Sequence, residues 1–170
     1  MLDFRRPSGY HHHMARAHSG GVLMYRVRNG EIEVYLAHPG GPFFRNRHEG
    51  HWGIPKGLLE DTEDERAAAA REFEEETGFA PPEPLVDLGR ITQRGGKVVH
   101  GFAARWEERA DPPPVKSNTC PVEWPPRSGK MIDIPEIDEA RFLSLDEARR
   151  LMIEQQFELV ERLRDMTREQ

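Results

Sequence analysis

Residues 57–79, GLLEDTEDERAAAAREFEEETGF, hold nine carboxylates in 23 positions between two glycines. The run of alanines and glutamates predicts a helix from about Asp61 to Thr77, ended by Gly78. At about 100° per residue, Glu72, Glu75 and Glu76 fall at i, i+3 and i+4 and share one face. Ala69, Ala70 and Phe73 form a neighbouring apolar face. Such a helix has to dock on a sheet with its acidic stripe beside the contact, which narrows the folds open to the chain. Like charges at this spacing repel, and Arg71 is one cation against three carboxylates. A solvated surface helix is one reading. The other is a site for hard divalent cations, which take oxygen ligands and combine a few carboxylates with substrate phosphates.

The full spacing separates the two readings. Gly57, five residues, Glu63, seven residues and then REFEEETGF (71–79) resembles the Nudix box at every defining position. The resemblance implies an α+β fold, an α/β/α sandwich around a mixed β-sheet, with the box as a loop–helix–loop that binds Mg²⁺ or Mn²⁺. It implies Glu72, Glu75 and Glu76 as metal ligands with help from the Gly57 carbonyl. Arg71 would orient Glu75, and Glu63 would support the metals. The proton acceptor varies in that family: Glu76, Glu75, or a carboxylate outside the box, for which Glu123 and Glu136 are candidates here. Family members split nucleoside diphosphates linked to another group.

Composition sets limits on this reading. A length of 170 residues fits one domain, and a formal charge of −6 lacks the basic face of a nucleic-acid binder. One cysteine, Cys120, allows no internal disulfide and suits a reducing compartment. No apolar run approaches a membrane span, so a cytoplasmic monomer or homodimer is expected. Residues 1–20, with His11, His12 and His13 ahead of Met14, read as a flexible tail, with an expression remnant or an upstream extension as the readings of its histidines. The domain is expected over 21–170.

Residues 21–27 and 31–39 read as a hairpin around RNG, and 85–92 with 97–106 as a second hairpin joined by QRGG. Residues 40–57 are glycine-rich and irregular. Residues 111–130 hold six of the 14 prolines and read as a long functional loop. A short strand at 141–144 leads into a capping box, Ser144 with Glu147, and one closing helix over 145–166.

Substrate contacts are sought outside the box. Lys56 stands where an ammonium would meet a phosphate chain, and Trp52 is either a nucleobase platform or core. Strand alternation places Lys97 and His100 on opposite faces, so only one of them can face the cleft. Arg127 and Lys130 offer a further phosphate clamp. The combination of HPGGPFF, WGIPKG, GGKVVHGFA and EWPPRSGK resembles a bacterial group of predicted nucleotide pyrophosphohydrolases placed near the diadenosine tetraphosphate hydrolases. The last element of that group departs slightly here, as IPEID (134–138). The implied substrate is a small nucleotide or polyphosphate, foremost a dinucleoside polyphosphate. The alternatives are modified nucleoside triphosphates, inositol pyrophosphates, and a silent nucleotide sensor.

Overall fold

The structure, a computed structural model, describes residues 17–170. Residues 1–16 of the expected tail lie outside the described residues, and His18–Gly20 already belong to strand β1. That strand (His18–Arg28) and β2 (Glu31–Pro39) form the first hairpin. Asn29 and Gly30 both take positive φ, 52° and 79°, the primed-turn geometry that matches strand twist. The second hairpin joins β4 (Val86–Thr92) to β5 (Val98–Arg105). With β3 (Lys56–Leu58) and β8 (Ile137–Ser144) these make one sheet in the order β4-β5-β1-β2-β8, β3 pairing with β1. The β1–β5 pair is parallel and the others antiparallel, so the sheet is mixed. The length of β1 lets one of its edges carry two partners, β3 along Ser19–Gly21 and β2 along Tyr25–Arg28.

Alternation along the strands divides the core. Leu23, Val34, Leu36, Val99 and Ala103 face α2 (Leu145–Leu151) and α3 (Phe157–Arg168), where Leu151, Leu159, Val160 and Leu163 meet them. Val22, Met24, Tyr35 and Phe102 face α1 (Glu65–Thr77), where Ala69 and Phe73 meet them. The result is the expected α/β/α sandwich. Burial of Phe73 contributes roughly 1.5–3 kcal/mol, against about 0.2–0.5 kcal/mol lost per like-charge pair on the acidic face. Packing therefore outweighs the repulsion.

Three elements differ from expectation. Helix α1 starts at Glu65, capped by Asp64, whose side chain accepts from the Ala67 N–H at 2.7 Å, so Asp61 and Glu63 lie in the entry loop. The closing helix is two helices, broken where Met152 turns extended (φ −78°, ψ 150°). The proline-rich loop contains a strand: β6 (Thr119–Glu123) pairs with β7 (Met131–Pro135) as a separate two-stranded sheet. The capping box at Ser144 and Glu147 is formed. No helix among the described residues is long and apolar enough to cross a membrane.

The start of α1 is tied to the sheet by ions. Arg90 forks onto Glu65 at 2.9 and 2.8 Å, and His100 places one ring nitrogen 2.6 Å from Glu65 and the other 2.7 Å from Asp87. The Arg90 hydrogen bonds, followed by His100, hold the Glu65 carboxyl down at about 2. A depressed carboxyl stabilises the fold above its ordinary pKa, and that contribution fades as pH falls from about 4.5 towards 2. Glu65→Gln is expected to cost roughly 1–2 kcal/mol at pH 7, with the gap to wild type closing across that acid window. Urea unfolding at stepped pH checks it; a gap that persists at pH 2 would remove the ionic explanation.

Candidate active site

Arg71 is the hub of the box. Its Nε and Nη2 donate to the two oxygens of Glu63 at 2.8 and 2.9 Å, and Nη2 also donates to the Leu58 carbonyl at 3.0 Å. Its Nη1 donates to Glu72 at 2.8 Å and, more weakly, to Glu75 at 3.3 Å. The expected role of Arg71 on Glu75 is thus the lesser part of what it does. The Arg71 hydrogen bonds hold the Glu63 carboxyl at about 2, and Glu63 also accepts from the Glu60 N–H at 3.0 Å. Placing Glu63 in the loop ahead of α1, rather than on the helix, is what lets it clasp Arg71 from outside.

The remaining carboxylates are crowded and partly dry. Lys56 N–H donates to Glu76 Oε2 at 3.1 Å. Burial nevertheless pushes the Glu76 carboxyl up to about 8; the Lys56 amide and ammonium oppose the rise, and the charges of Glu72 and Glu136 add to it. Glu72 is raised by burial as well, with Arg71 opposing and Glu75 and Glu136 adding. Burial lowers the Lys56 ammonium, and the neighbouring charge of Lys97 lowers it further. Gly57 makes the closest approach: a Cβ there would lie 2.0 Å from the Glu72 carboxyl carbon.

Glu76, Lys56 and Glu136 line a cleft of about 280 Å³, together with His51, Phe44, Ile153 and Gln156. A roomier concavity of about 1030 Å³ beside α2 and α3 holds none of the box residues. The wall of the smaller cleft is stitched to the box loop by Gln156, fully buried, which accepts from the Ile54 N–H at 2.9 Å and donates to Gln93 at 2.8 Å. Trp52 N–H donates to the Leu151 carbonyl at 3.0 Å and Ile153 N–H to the Trp52 carbonyl at 2.8 Å. This pairing is what breaks the closing helix.

Several predicted contacts are placed elsewhere. Trp52 is 1% exposed and packs in the core under α2, so its ring is no nucleobase platform. His100 faces α1 and is occupied by Glu65 and Asp87 rather than turned to the cleft. Lys97, on the other face, is the one whose charge Lys56 feels. Arg127 and Lys130 are exposed in the β6–β7 turn and line none of the cleft. Glu123 is engaged at that same turn, accepting from the Gly129 N–H at 2.9 Å, which leaves Glu136 as the outside carboxylate facing the box. Sequence reasoning missed Phe44, Ile153 and Gln156. A polar residue inside an otherwise apolar stripe was the one available hint of Gln156.

Among the described residues, no three acidic, histidine or cysteine side chains converge on one point. The donor set still fits a hard divalent cation: all its members offer oxygen, burial raises two of the carboxyls, and Gly57 leaves Glu72 the room a side chain would fill.

Comparison with known proteins matches these features to a family. The model described as NUDIX domain matches residues 17–168. A CMP-5'-(N-acetyl-N-hydroxy-3-aminopropyl)phosphonate hydrolase from Streptomyces rubellomurinus is 35% identical over 83 residues, 48% of this chain and 38% of that protein. The chain therefore spans well under half the length of that curated relative. Among solved structures, an Ap4A hydrolase binary complex from C. elegans superposes with TM-score 0.64 at 21% identity, covering 91% of this chain and 99% of that one. The NUDIX domain of Shewanella oneidensis NrtR complexed with ADP ribose gives 0.62 at 17% identity, covering 90% and 89%.

Proposed function

The chain belongs to the NUDIX domain family, and from that premise we propose that it hydrolyses a phosphoanhydride bond in a nucleoside diphosphate-linked compound. The preferred substrate is a dinucleoside polyphosphate such as diadenosine tetraphosphate, cut asymmetrically to ATP and AMP, with Mg²⁺ or Mn²⁺ as cofactor. The observation that carries this reading is the meeting of Glu76 and Glu136 with Lys56 in one cleft, where the charges of Glu72 and Lys97 are also felt.

Glu72, Glu75, Glu76 and the Gly57 carbonyl would hold the cation. When bound, it neutralises phosphate oxygens and acidifies an attacking water. The rest is the work of the chain. Lys56 and Lys97 draw a long phosphate chain to the cleft as two adjacent positive charges. Burial keeps Lys56 weakly hydrated, so its attraction for phosphate is less screened than that of a surface lysine. Arg71 and Glu63 clamp the entry loop to α1, which fixes Gly57 against Glu72. Glu136, on the segment after β7 rather than on α1, lines the cleft with Glu76 and would accept the proton of the water.

The reading is tested by incubating the protein with Mg²⁺ and diadenosine tetraphosphate and resolving products by anion exchange. Equal ATP and AMP are expected, with none from Glu75→Gln. Turnover retained in that variant would refute the site assignment. Pyrophosphate released from modified nucleoside triphosphates, with diadenosine tetraphosphate untouched, would refute the substrate in favour of MutT-like cleansing. Tight nucleotide binding without any product would favour a sensor.

A further inference from the structure

A second cleft, of about 260 Å³, opens beside the carboxylates, walled by Phe43, Phe44, Trp124 and Ile134 over a floor of Gly40 and Gly41. The floor depends on both glycines. A Cβ at Gly40 would lie 2.0 Å from the Pro135 carbonyl oxygen, and one at Gly41 2.5 Å from Ile134 Cδ1. Gly40 N–H donates to the Glu136 carbonyl at 3.0 Å, which ties the floor to the segment that carries the outside carboxylate. Phe43 is 52% exposed, yet its ring is held edge-on to Phe44 at 4.9 Å and lies under the Arg47 guanidinium at 4.4 Å. At Glu123, Oε1 accepts from the Gly129 N–H at 2.9 Å, and Oε2 makes no hydrogen bond among the described residues.

We propose that this cleft is the nucleobase subsite, taking a base that carries an exocyclic amino group, with the ring held among Phe43, Phe44 and Trp124, flat on one ring and against the edge of another, and the amino group donating to Glu123. The proposal rests on the nucleotide hydrolysis argued above and names which part of the substrate goes where. Continuity supports it, because Phe44 lines both clefts. Ile134 and Glu136 lie two residues apart, roughly 7 Å along an extended chain, about the step a ribose makes between a base and its first phosphate. A base among the rings therefore delivers its phosphates to Glu136, Lys56 and Glu76. Aromatic faces stack any base, so selection falls to Glu123. Its carboxylate can only accept, which favours adenine, cytosine or guanine over uracil, whose edge there presents a carbonyl.

Calorimetric titration with AMP, UMP and ribose 5-phosphate in the presence of Mg²⁺ tests this on the whole chain. AMP is expected to bind about 5- to 150-fold more tightly than ribose 5-phosphate, the equivalent of one stacked base, and more tightly than UMP. Phe43→Ala, at an exposed position that spares the fold, and Trp124→Ala should each erase much of the AMP advantage while leaving ribose 5-phosphate unchanged. Glu123→Gln should narrow the gap between AMP and UMP. Equal binding of AMP and ribose 5-phosphate by wild type, or unchanged AMP affinity in both aromatic variants, overturns the subsite. Self-association lost in Phe43→Ala with AMP binding unaltered overturns it in favour of a second copy of the chain. Binding needs no turnover, so the two readings fail separately. AMP held in this way by a protein that leaves dinucleoside polyphosphates and nucleoside triphosphates uncut refutes only the reaction, and hydrolysis indifferent to all three variants refutes only the subsite.

Discussion

Glu76→Gln is expected to lower turnover about a thousandfold while raising the thermal midpoint of the metal-free protein. The two effects share one cause. Burial beside Glu72 and Glu136 pushes the Glu76 carboxyl up to about 8, so at neutral pH the apoprotein resists its ionisation. The folded state holds that proton more tightly than the unfolded chain does. Its contribution is full below the ordinary carboxyl range and is lost as pH rises towards 8. Glutamine keeps an oxygen for the Lys56 N–H and carries no charge, so it escapes the penalty. In chelator, the Tm advantage of the variant should be small at pH 4.5, grow to several degrees by pH 8, at roughly 2–4 °C per kcal/mol for a chain of this size, and then level off. Added Mg²⁺ should raise the wild-type midpoint and leave the variant nearly unmoved. A variant less stable than wild type in chelator would mean that Glu76 serves the fold and is not held for a cation.

Gly57→Ala should separate fold from site more cleanly. The added methyl would lie 2.0 Å from the Glu72 carboxyl carbon and 2.2 Å from each of its oxygens. Those atoms end a flexible side chain, so the fold yields by swinging Glu72 away. The unfolded chain meanwhile loses freedom, which offsets part of any strain. Stability should change by less than about 1 kcal/mol, whereas displacing Glu72 by an ångström or more should cost on the order of a hundredfold in kcat/KM. Urea unfolding beside steady-state kinetics gives both numbers. Full activity in the alanine variant would show that the contact of Gly57 with Glu72 is incidental.

The parts legible in the sequence were those written in local chemistry. The RNG turn demanded positive φ and declared the first hairpin, and Gly78 closes α1 with φ 89° as its position predicted. The box was legible from its complete pattern of residues, and strand alternation set Lys97 and His100 on opposite faces, with His100 turned to α1. Tertiary partners hid the rest. Asp64 caps α1 from within a run of acids, any of which had the chemistry to do it. Leu145 to Met166 reads as one amphipathic stripe, and only the backbone bonds of Trp52 to Leu151 and Ile153 show why it breaks. Prolines made residues 111–130 look structureless, although Pro121 sits within β6 and the segment forms the hairpin wall beside Phe44. Trp52 had two readings from sequence, and its burial decides for core.

The bond from Ile54 N–H to Gln156 has a bearing on biosynthesis. The two residues are 102 positions apart, so a ribosome adding 5–20 residues per second takes about 5–20 s between them. Throughout that interval the loop carrying Lys56 and Gly57 has emerged without its acceptor or the wall of its cleft. The carboxylates of α1 are made early, but their surroundings are completed late. A nascent chain in this condition can gather cations loosely on an acidic helix and has no closed site in which to use them. Competence to act on a substrate thus waits for the segment from α2 to α3, although none of the box lies there.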